Sequence, residues 1–283
     1  MTSVGALVVT HNSQRWIEST LRSIANQSRT ASRIVVVDDG STDDTTGIVH
    51  AVFGDRVLVL EAVSAAEGRL DRIAQNFEQG VRALQDVDVV VLGDHDDVWQ
   101  ADRIARQIAL LEANPRAVMV ASDGRLVDAD GQPTGGTLRT VFPVPTDFNE
   151  LKPAQRMRTA LRHSIATGGA SAIRALFFYD VEIPPGWLHD RWWSLVATAH
   201  EGMLIDIDEV IDYRVTAGQE VGLDRGTQDS SGASRAARAV GGDASGAFRK
   251  LKDLQAQLTP YATDETRSEL STMRLVRSLL QRG

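Results

Sequence analysis

The chain of 283 residues contains no cysteine. That excludes disulfides, thiolate metal sites and a cysteine nucleophile, and it leaves the redox compartment open. Cations are also in short supply, with 30 Lys and Arg against 38 Asp and Glu and a formal charge of −8. Binding a nucleic-acid backbone calls for clustered Lys and Arg, so nucleic acid is excluded as the main partner, whereas a surplus of acids suits a divalent cation. No apolar run reaches the roughly 18 residues expected of a membrane span. The first apolar stretch, Val4 to Val9, has neither a basic leader nor a small-residue cleavage site, which predicts a first strand rather than a signal peptide and a cytoplasmic protein. Internal repeats are lacking as well. What remains, 42% hydrophobic and 24% charged, is the composition of a folded globular chain with one large core or two unequal ones.

Two apolar runs stop abruptly in acids: Val35-Val36-Val37-Asp38-Asp39-Gly40-Ser41 and Val89-Val90-Val91-Leu92-Gly93-Asp94-His95-Asp96-Asp97. A β-branched run ending in carboxylates reads as a buried strand that delivers charge to the carboxyl edge of a parallel sheet, where α/β proteins place ligands. Around these runs the pattern alternates. Strands are expected at Val4–Thr10, Ile34–Asp38, Val57–Leu60, Val87–Leu92 and Ala117–Ser122. Between them lie helices carrying Ile17, Leu21 and Ile24, then Ile48, Val49, Val52 and Phe53, then one over Arg69–Leu84 and one from Ala101 to Glu112. Asn12 or Ser13 is expected to cap the first helix and Ser41 or Thr42 the second. Asp130-Gly131 marks a hairpin. The fold class is therefore α/β, a Rossmann-like and mostly parallel sheet flanked by helices.

After Pro143 and Pro145 the alternation loosens into a helix near Pro153–His163, a small-residue stretch from Thr167 to Ser171, and Trp187-Leu188-His189-Asp190-Arg191-Trp192-Trp193. From Asp224 to Gly246 Gly, Ala, Ser and Arg dominate, as in a linker or a loop that orders over a ligand. Phe248, Leu251, Leu254 and Leu258, then Leu270, Met273, Val276 and Leu280, have helical spacing and predict a C-terminal helical extension. That tail packs on the domain, pairs two copies of the chain as a homo-oligomer, or makes peripheral contact with the inner face of a membrane; packing is the favoured reading.

Asp94, Asp96 and Asp97 put three acids in four positions, and their repulsion is costly unless a hard cation such as Mg²⁺ or Mn²⁺ neutralises them. The alternative is a solvated turn in which Asp97 caps the next helix. Asp38-Asp39-Gly40-Ser41 can accept hydrogen bonds from a base or ribose beside a helix N-terminus, and a simple capping turn explains it nearly as well. Thr10-His11-Asn12 is weaker alone. Three strand exits together are stronger than any one, because a switch-point crevice collects residues from several strand ends.

Val8-Val9-Thr10-His11-Asn12, Val37-Asp38-Asp39-Gly40-Ser41, Asn76-Phe77-Glu78 and Asp94-His95-Asp96-Asp97-Val98-Trp99 together resemble the inverting family 2 glycosyltransferases of GT-A fold. Ala166-Thr167-Gly168-Gly169-Ala170, His189-Asp190-Arg191-Trp192-Trp193 and Ile207-Asp208-Glu209 with Tyr213-Arg214 are similar to the rhamnosyltransferase-like branch. The resemblance covers about residues 4 to 222. It implies a nucleotide-sugar donor, dTDP-rhamnose or a UDP-sugar, and a hydroxyl acceptor on a glycan, glycolipid or metabolite. It implies further that Thr10, Asn12 and Asp39 hold the nucleotide, that Asp94 contacts its ribose or the metal, and that Asp96 is the metal ligand of the D-x-D motif. Asp190 falls in the position of the family's general base, where a helix cap is the alternative.

Trp192 and Trp193 read as core before they read as a sugar-facing wall, and His189 as a structural neighbour of Asp190. Arg69 or Arg72 is a candidate for the diphosphate. Where the branch has a His after Tyr-Arg this chain has Thr216, a poorer ligand, for which His200 or Glu220 would have to substitute. The expected organisation is a nucleotide-sugar-binding half at 1–124, an acceptor-binding half at 125–222, a linker at 223–246 and a helical tail at 247–283. Two other readings stand beside this one: a degenerate domain that binds nucleotide-sugar without turnover, and a haloacid-dehalogenase-type phosphotransferase with Asp94 as nucleophile, the latter leaving Thr10, Asp39 and Asp190 without roles.

Overall fold

A computed structural model describes residues 1–63, 66–216 and 244–271, the stretch 244–250 as backbone only. In chain order the elements are β1 (Val4–Thr10), α1 (Ile17–Ala25), β2 (Arg33–Asp38), α2 (Thr45–Phe53), β3 (Val57–Glu61), α3 (Arg69–Ala83), β4 (Val89–Asp94), β5 (Val98–Trp99) and α4 (Arg103–Ala113). Then follow β6 (Met119–Val127), β7 (Pro133–Thr137), α5 (Leu138–Val141), α6 (Pro153–Arg162), β8 (Ser171–Arg174), α7 (Ala175–Phe178), α8 (His189–Ala199), β9 (Met203–Arg214), α9 (Ala244–Leu258) and α10 (Asp264–Arg267).

The strands form one sheet in the order β3-β2-β1-β4-β8-β6-β9-β5, with β7 paired to β6. The first four in that order are mutually parallel, as the alternation of strands and helices requires. Beyond β4 the sheet is mixed: β8 runs antiparallel to both β4 and β6, while β9 is parallel to β6. Residue 124, where the two expected halves meet, lies inside β6 of this continuous sheet.

Successive residues of a strand face opposite sides, and the Val-rich strands bury both. Ala6, Val8, Val36, Val89 and Val91 face Ile17, Leu21, Ile24, Val49, Phe53, Ile104 and Ile108 of α1, α2 and α4. Leu7, Val9, Val35, Val37, Val90 and Leu92 face Phe77 and Val81 of α3 together with Trp192, Trp193 and Leu195 of α8. Each such side chain contributes about 1.5–3 kcal/mol when fully buried, so both layers are anchored by hydrophobic burial. Leu251 and Leu258 of α9 and Leu270 beyond α10 join the second layer, so the described part of the C-terminal extension packs on the domain. Met273, Val276 and Leu280 lie outside the described residues, as does the linker from 223 to 243.

Two expected caps turn out differently. The residue before α1 is Trp16 and the residue before α2 is Asp44, neither with a capping side-chain bond. Asn12, Ser13, Ser41 and Thr42 instead tie the two loops at the sheet edge to each other. The hairpin at Asp130-Gly131 does form, between β6 and β7.

Candidate active site

β1 lies between β2 and β4, and the register sets Thr10 beside Asp38 and Val9 beside Asp94. The acid-bearing ends of both apolar runs therefore meet at one sheet edge. Asp39 N–H donates to Thr10 O at 2.8 Å. Asn12 has a positive φ of 47°, which Asn tolerates better than most side chains. From there its N–H donates to Ser41 Oγ at 2.8 Å, and its Oδ1 accepts from Thr42 N at 2.8 Å. Asp38 is buried and spent on the turn, accepting from Ser41 N at 2.9 Å. Asp39, half-buried, accepts from Arg72 Nε at 3.4 Å. Arg72 stands in the first turn of α3, so that helix start reaches the same crevice, and Arg69 is its first residue.

At the end of β4, Asp94 accepts from the backbone N–H of Gly169. Asp96 is 8% exposed and Asp97 fully buried. Asp97 Oδ1 accepts from Arg214 N at 3.1 Å, and among the described residues its Oδ2 has no hydrogen-bond partner. Arg214 also donates through Nε to Asp96 O at 3.0 Å and through Nη1 to Ala129 O at 2.9 Å, so the end of β9 holds the acidic loop in place. Behind the loop is a buried cation. Arg103 Nη2 donates to Leu92 O at 2.7 Å and Ser171 O at 3.2 Å, and its guanidinium sits 4.0 Å from the Trp99 ring centre.

Crowding of these charges shows in their proton affinity. Burial, then the charges of Asp96 and Asp190, push the Asp94 carboxyl up to about 7, with Arg103 opposing. Burial, then Asp96 and Asp94, push Asp97 well above the usual carboxylate range. Burial draws Arg103 down to about 9 against the pull of Asp97 and Asp94. Two buried carboxyls that resist ionisation, Asp94 and Asp97, are an arrangement that a cation relieves.

Asp190 is the second residue of α8, after His189 and the cap residue Leu188, so it is not the helix cap. Its carboxylate accepts from Arg191 N at 2.6 Å and acts electrostatically on Asp94 across the crevice. His189 packs behind it, stacked on Phe77 at 3.5 Å and edge-on to Trp193 at 5.6 Å. Gly168 and Gly169 complete the wall. A Cβ on Gly168 would fall 2.1 Å from His189 Nε2, and one on Gly169 would fall 2.5 Å from Asp97 Oδ2 and 2.8 Å from Asp94 Oδ2. Only glycine lets the backbone come this close to the carboxylates.

The structure thus gathers Asp94, Asp96, Asp97 and Asp190, and on adjoining strand exits Thr10, Asn12 and Asp39 with Arg72. It separates others. Trp192 and Trp193 are 1% and 0% exposed and belong to the core rather than to a sugar-facing wall. His200 caps the far end of α8, ten residues and hence about 15 Å along the helix from Asp190, and packs on Phe177, so it cannot stand in for the missing histidine. Thr216 follows Val215, whose N–H pairs with Val127 O, and Glu220 lies outside the described residues. Asn76 is fully buried on α3 with no hydrogen-bond partner for its amide among the described residues, and Glu78 accepts from Ile183 N. Arg103 was not legible as a site residue, and Arg191 and Gly169 stood within resembling motifs without a role of their own. Arg103 sits in a first helical turn with no spacing to set it apart from a solvated Arg.

The family model for glycosyl transferase family 2 matches residues 6–181. The chain belongs to glycosyl transferase family 2. A relative described as dTDP-rhamnosyl transferase RfbG from Shigella flexneri is 30% identical over 112 residues, 38% of this chain and 37% of that protein's length. Among solved structures, S. aureus TarS in complex with UDP-GlcNAc superposes with a TM-score of 0.63 at 14% identity, over 97% of this chain and 72% of the other. Glucosyl-3-phosphoglycerate synthase from Mycobacterium tuberculosis, with Mn²⁺, UDP and glucosyl-3-phosphoglycerate, superposes with a TM-score of 0.54 at 16% identity, over 79% and 76%. At those identities the likeness establishes the fold, which is GT-A.

Among the described residues no group of three or more His, Asp or Glu side chains is arranged to hold a metal ion. The donors that are present still fit a hard cation in part. Asp94 and Asp96 offer oxygen ligands at a strongly negative spot, and Mg²⁺ or Mn²⁺ usually takes one or two protein carboxylates with substrate phosphates and water supplying the rest.

Proposed function

We propose that this chain is an inverting glycosyltransferase that moves a sugar from a nucleoside diphosphate to an acceptor hydroxyl. The observation that carries the reading is the meeting of Asp94 and Asp96, from the end of β4, with Asp190, from the start of α8, across one crevice next to Asp39. Thr10, Asn12 and Asp39 hold the nucleotide, with Arg72 beside them. Asp96 would hold Mg²⁺ or Mn²⁺, and Asp94 would contact the ribose or the same cation. When bound, that cation offsets the negative charge that grows on the departing diphosphate.

Asp190 accepts the proton of the acceptor hydroxyl as its oxygen bonds to the anomeric carbon from the face opposite the diphosphate, so configuration inverts. A carboxylate is a weak base for an alcohol, and the transfer works because the proton leaves late, with positioning contributing more than basicity. His189, held between Phe77 and Gly168, fixes the backbone that carries Asp190. The donor half, residues 1–124, and the acceptor half, 125–222, are assigned on this reading. The name of the relative points to dTDP-rhamnose as the donor, and the ligands of the structural neighbours point to UDP-sugars. No described helix is long and apolar enough to cross a membrane.

A panel of nucleotide-sugars with Mg²⁺ or Mn²⁺, scored by thermal shift and slow donor hydrolysis, identifies base, sugar and metal together. A metal-dependent shift with a nucleotide, lost in Asp96→Ala, is the expected result. Nucleotide binding without any hydrolysis or transfer would mean a domain that only binds, and no nucleotide binding at all would overturn the proposal.

A further inference from the structure

The turn that leads into Asp190 leaves its chain little freedom. Trp187 N–H donates back to Pro184 O at 3.2 Å, with Pro185 and Gly186 between them. Gly186 has a φ of 83°. Proline at the second place and a positive φ at the third are what a type II turn requires. Trp187 stands just before the cap residue Leu188, and its ring packs 5.4 Å from that of Trp192, the fourth residue of α8. An apolar pair in those two places staples the incoming chain to the helix and fixes its angle of entry. Asp190 lies inside that staple, so its position follows from that of the turn.

One helix holds this turn from the donor side. Asp71, in the first turn of α3, accepts from Gly186 N at 2.5 Å across 115 positions of sequence. Further along α3, Phe77 stacks on His189 and Glu78 accepts from Ile183 N. Arg72, next after Asp71, donates to Asp39 at 3.4 Å. Adjacent side chains of one helical turn therefore hold the turn before Asp190 and the aspartate assigned to the nucleotide. On the other side buried Arg191 donates to Leu161 O at 2.9 Å and His163 O at 2.6 Å, which ties α8 to the end of α6 and leaves the turn to α3. An acid in a first helical turn favours the helix by itself. That does not account for a carboxylate oxygen committed to an amide of a distant loop.

We infer that Asp71 is a positioning residue for Asp190: by holding Gly186 it sets the general base at a fixed place relative to the donor pocket, without itself entering the reaction. The inference rests on the glycosyltransferase reading and adds the contact that couples its donor and acceptor sides. A loosened turn leaves the nucleotide contacts in place and misplaces the base, and a shift of about 1 Å can cost about 10²-fold in rate.

Three variants of the full chain test it. Asp71→Ala removes the acceptor and keeps a good helix former, and Asp71→Asn keeps an oxygen that can accept from Gly186. Gly186→Ala strains the turn from the other side, where a Cβ meets nothing within 4 Å. Hydrogen exchange is read at the amides of residues 186–190, and slow donor hydrolysis with Mn²⁺ and dTDP-rhamnose, UDP-glucose or UDP-GlcNAc. In Asp71→Ala those amides are expected to exchange about ten-fold faster or more while the amides of β1 keep their rates, and kcat for hydrolysis to fall about ten-fold or more with the donor KM within about two-fold. Gly186→Ala is expected to move both readouts the same way, and Asp71→Asn to restore both to within about three-fold of the parent. Unchanged exchange or unchanged kcat in Asp71→Ala would overturn the inference, as would an equal loss in Asp71→Asn or a rise in KM as large as the fall in kcat. A parent that hydrolyses none of the donors sinks the transferase reading and this inference with it, whereas an active parent with any of those results sinks only the positioning role.

Discussion

Replacing Asp94 by Asn should stabilise the metal-free protein at alkaline pH and leave it unchanged at acid pH. The Asp94 carboxyl has an ordinary value of 3.8 and is raised to about 7 in the fold, first by burial and then by Asp96 and Asp190. A carboxyl raised on folding binds its proton more tightly in the native state, so stability is lost as pH climbs from about 4 through about 7. At about 1.4 kcal/mol per pH unit that interval amounts to about 4 kcal/mol, and solvent at the partly exposed edge of Asp94 reduces it to about 2–4 kcal/mol. Asn cannot ionise, so the variant escapes this loss. Urea unfolding of both proteins from pH 4 to pH 8 in chelator measures the difference, expected to be smallest at pH 4, to grow steadily above it, and to reach about 2–4 kcal/mol in favour of Asp94→Asn at pH 8. Addition of Mn²⁺ with nucleotide at pH 8 should reverse the ranking, because only the parent keeps both carboxylates for the cation. Parallel stability curves for the two proteins across this range would refute the charge-crowding argument.

Further outcomes follow from the same contacts. Asp190→Asn should retain nucleotide and metal binding while sugar transfer falls by about 10²–10⁴-fold, measured by single-turnover kinetics with a working donor and acceptor; undiminished transfer would remove Asp190 as the base. Gly169→Ala places a methyl within 2.8 Å of the Asp94 and Asp97 carboxylates and should cost about 1–3 kcal/mol while weakening the metal-dependent thermal shift. Arg103→Met leaves Leu92 O and Ser171 O without their donor and removes the counter-charge from Asp97 and Asp94, so a loss of about 3–5 kcal/mol is expected, larger at pH 8 than at pH 5.

Much of this molecule could be read along the chain, because its strands are short apolar runs and their ends are acids. β1 and the hairpin at Asp130-Gly131 appear where periodicity and turn chemistry put them, and the other strands and helices of the first half match within a few residues. Asp94 and Asp96 stood out as a charge pattern, and Asp190 was singled out by the family resemblance alone. The caps were misread, since Asn12 and Ser41 have the right chemistry to cap a helix and use it to join two loops, a choice made by the adjacency of β1 and β2 rather than by either loop alone.

Local sequence therefore determined which segments become strands and which carboxylates stand at their ends, because side-chain shape and spacing act over a few residues. Only the assembled sheet decided that Asp190, nearly a hundred positions away, raises the cost of ionising Asp94, that Arg103 is a buried counter-charge, and that Arg191 welds α6 to the turn carrying Asp190. Those facts depend on distance through space and on exclusion of water, and both exist only once the layers have closed around the sheet.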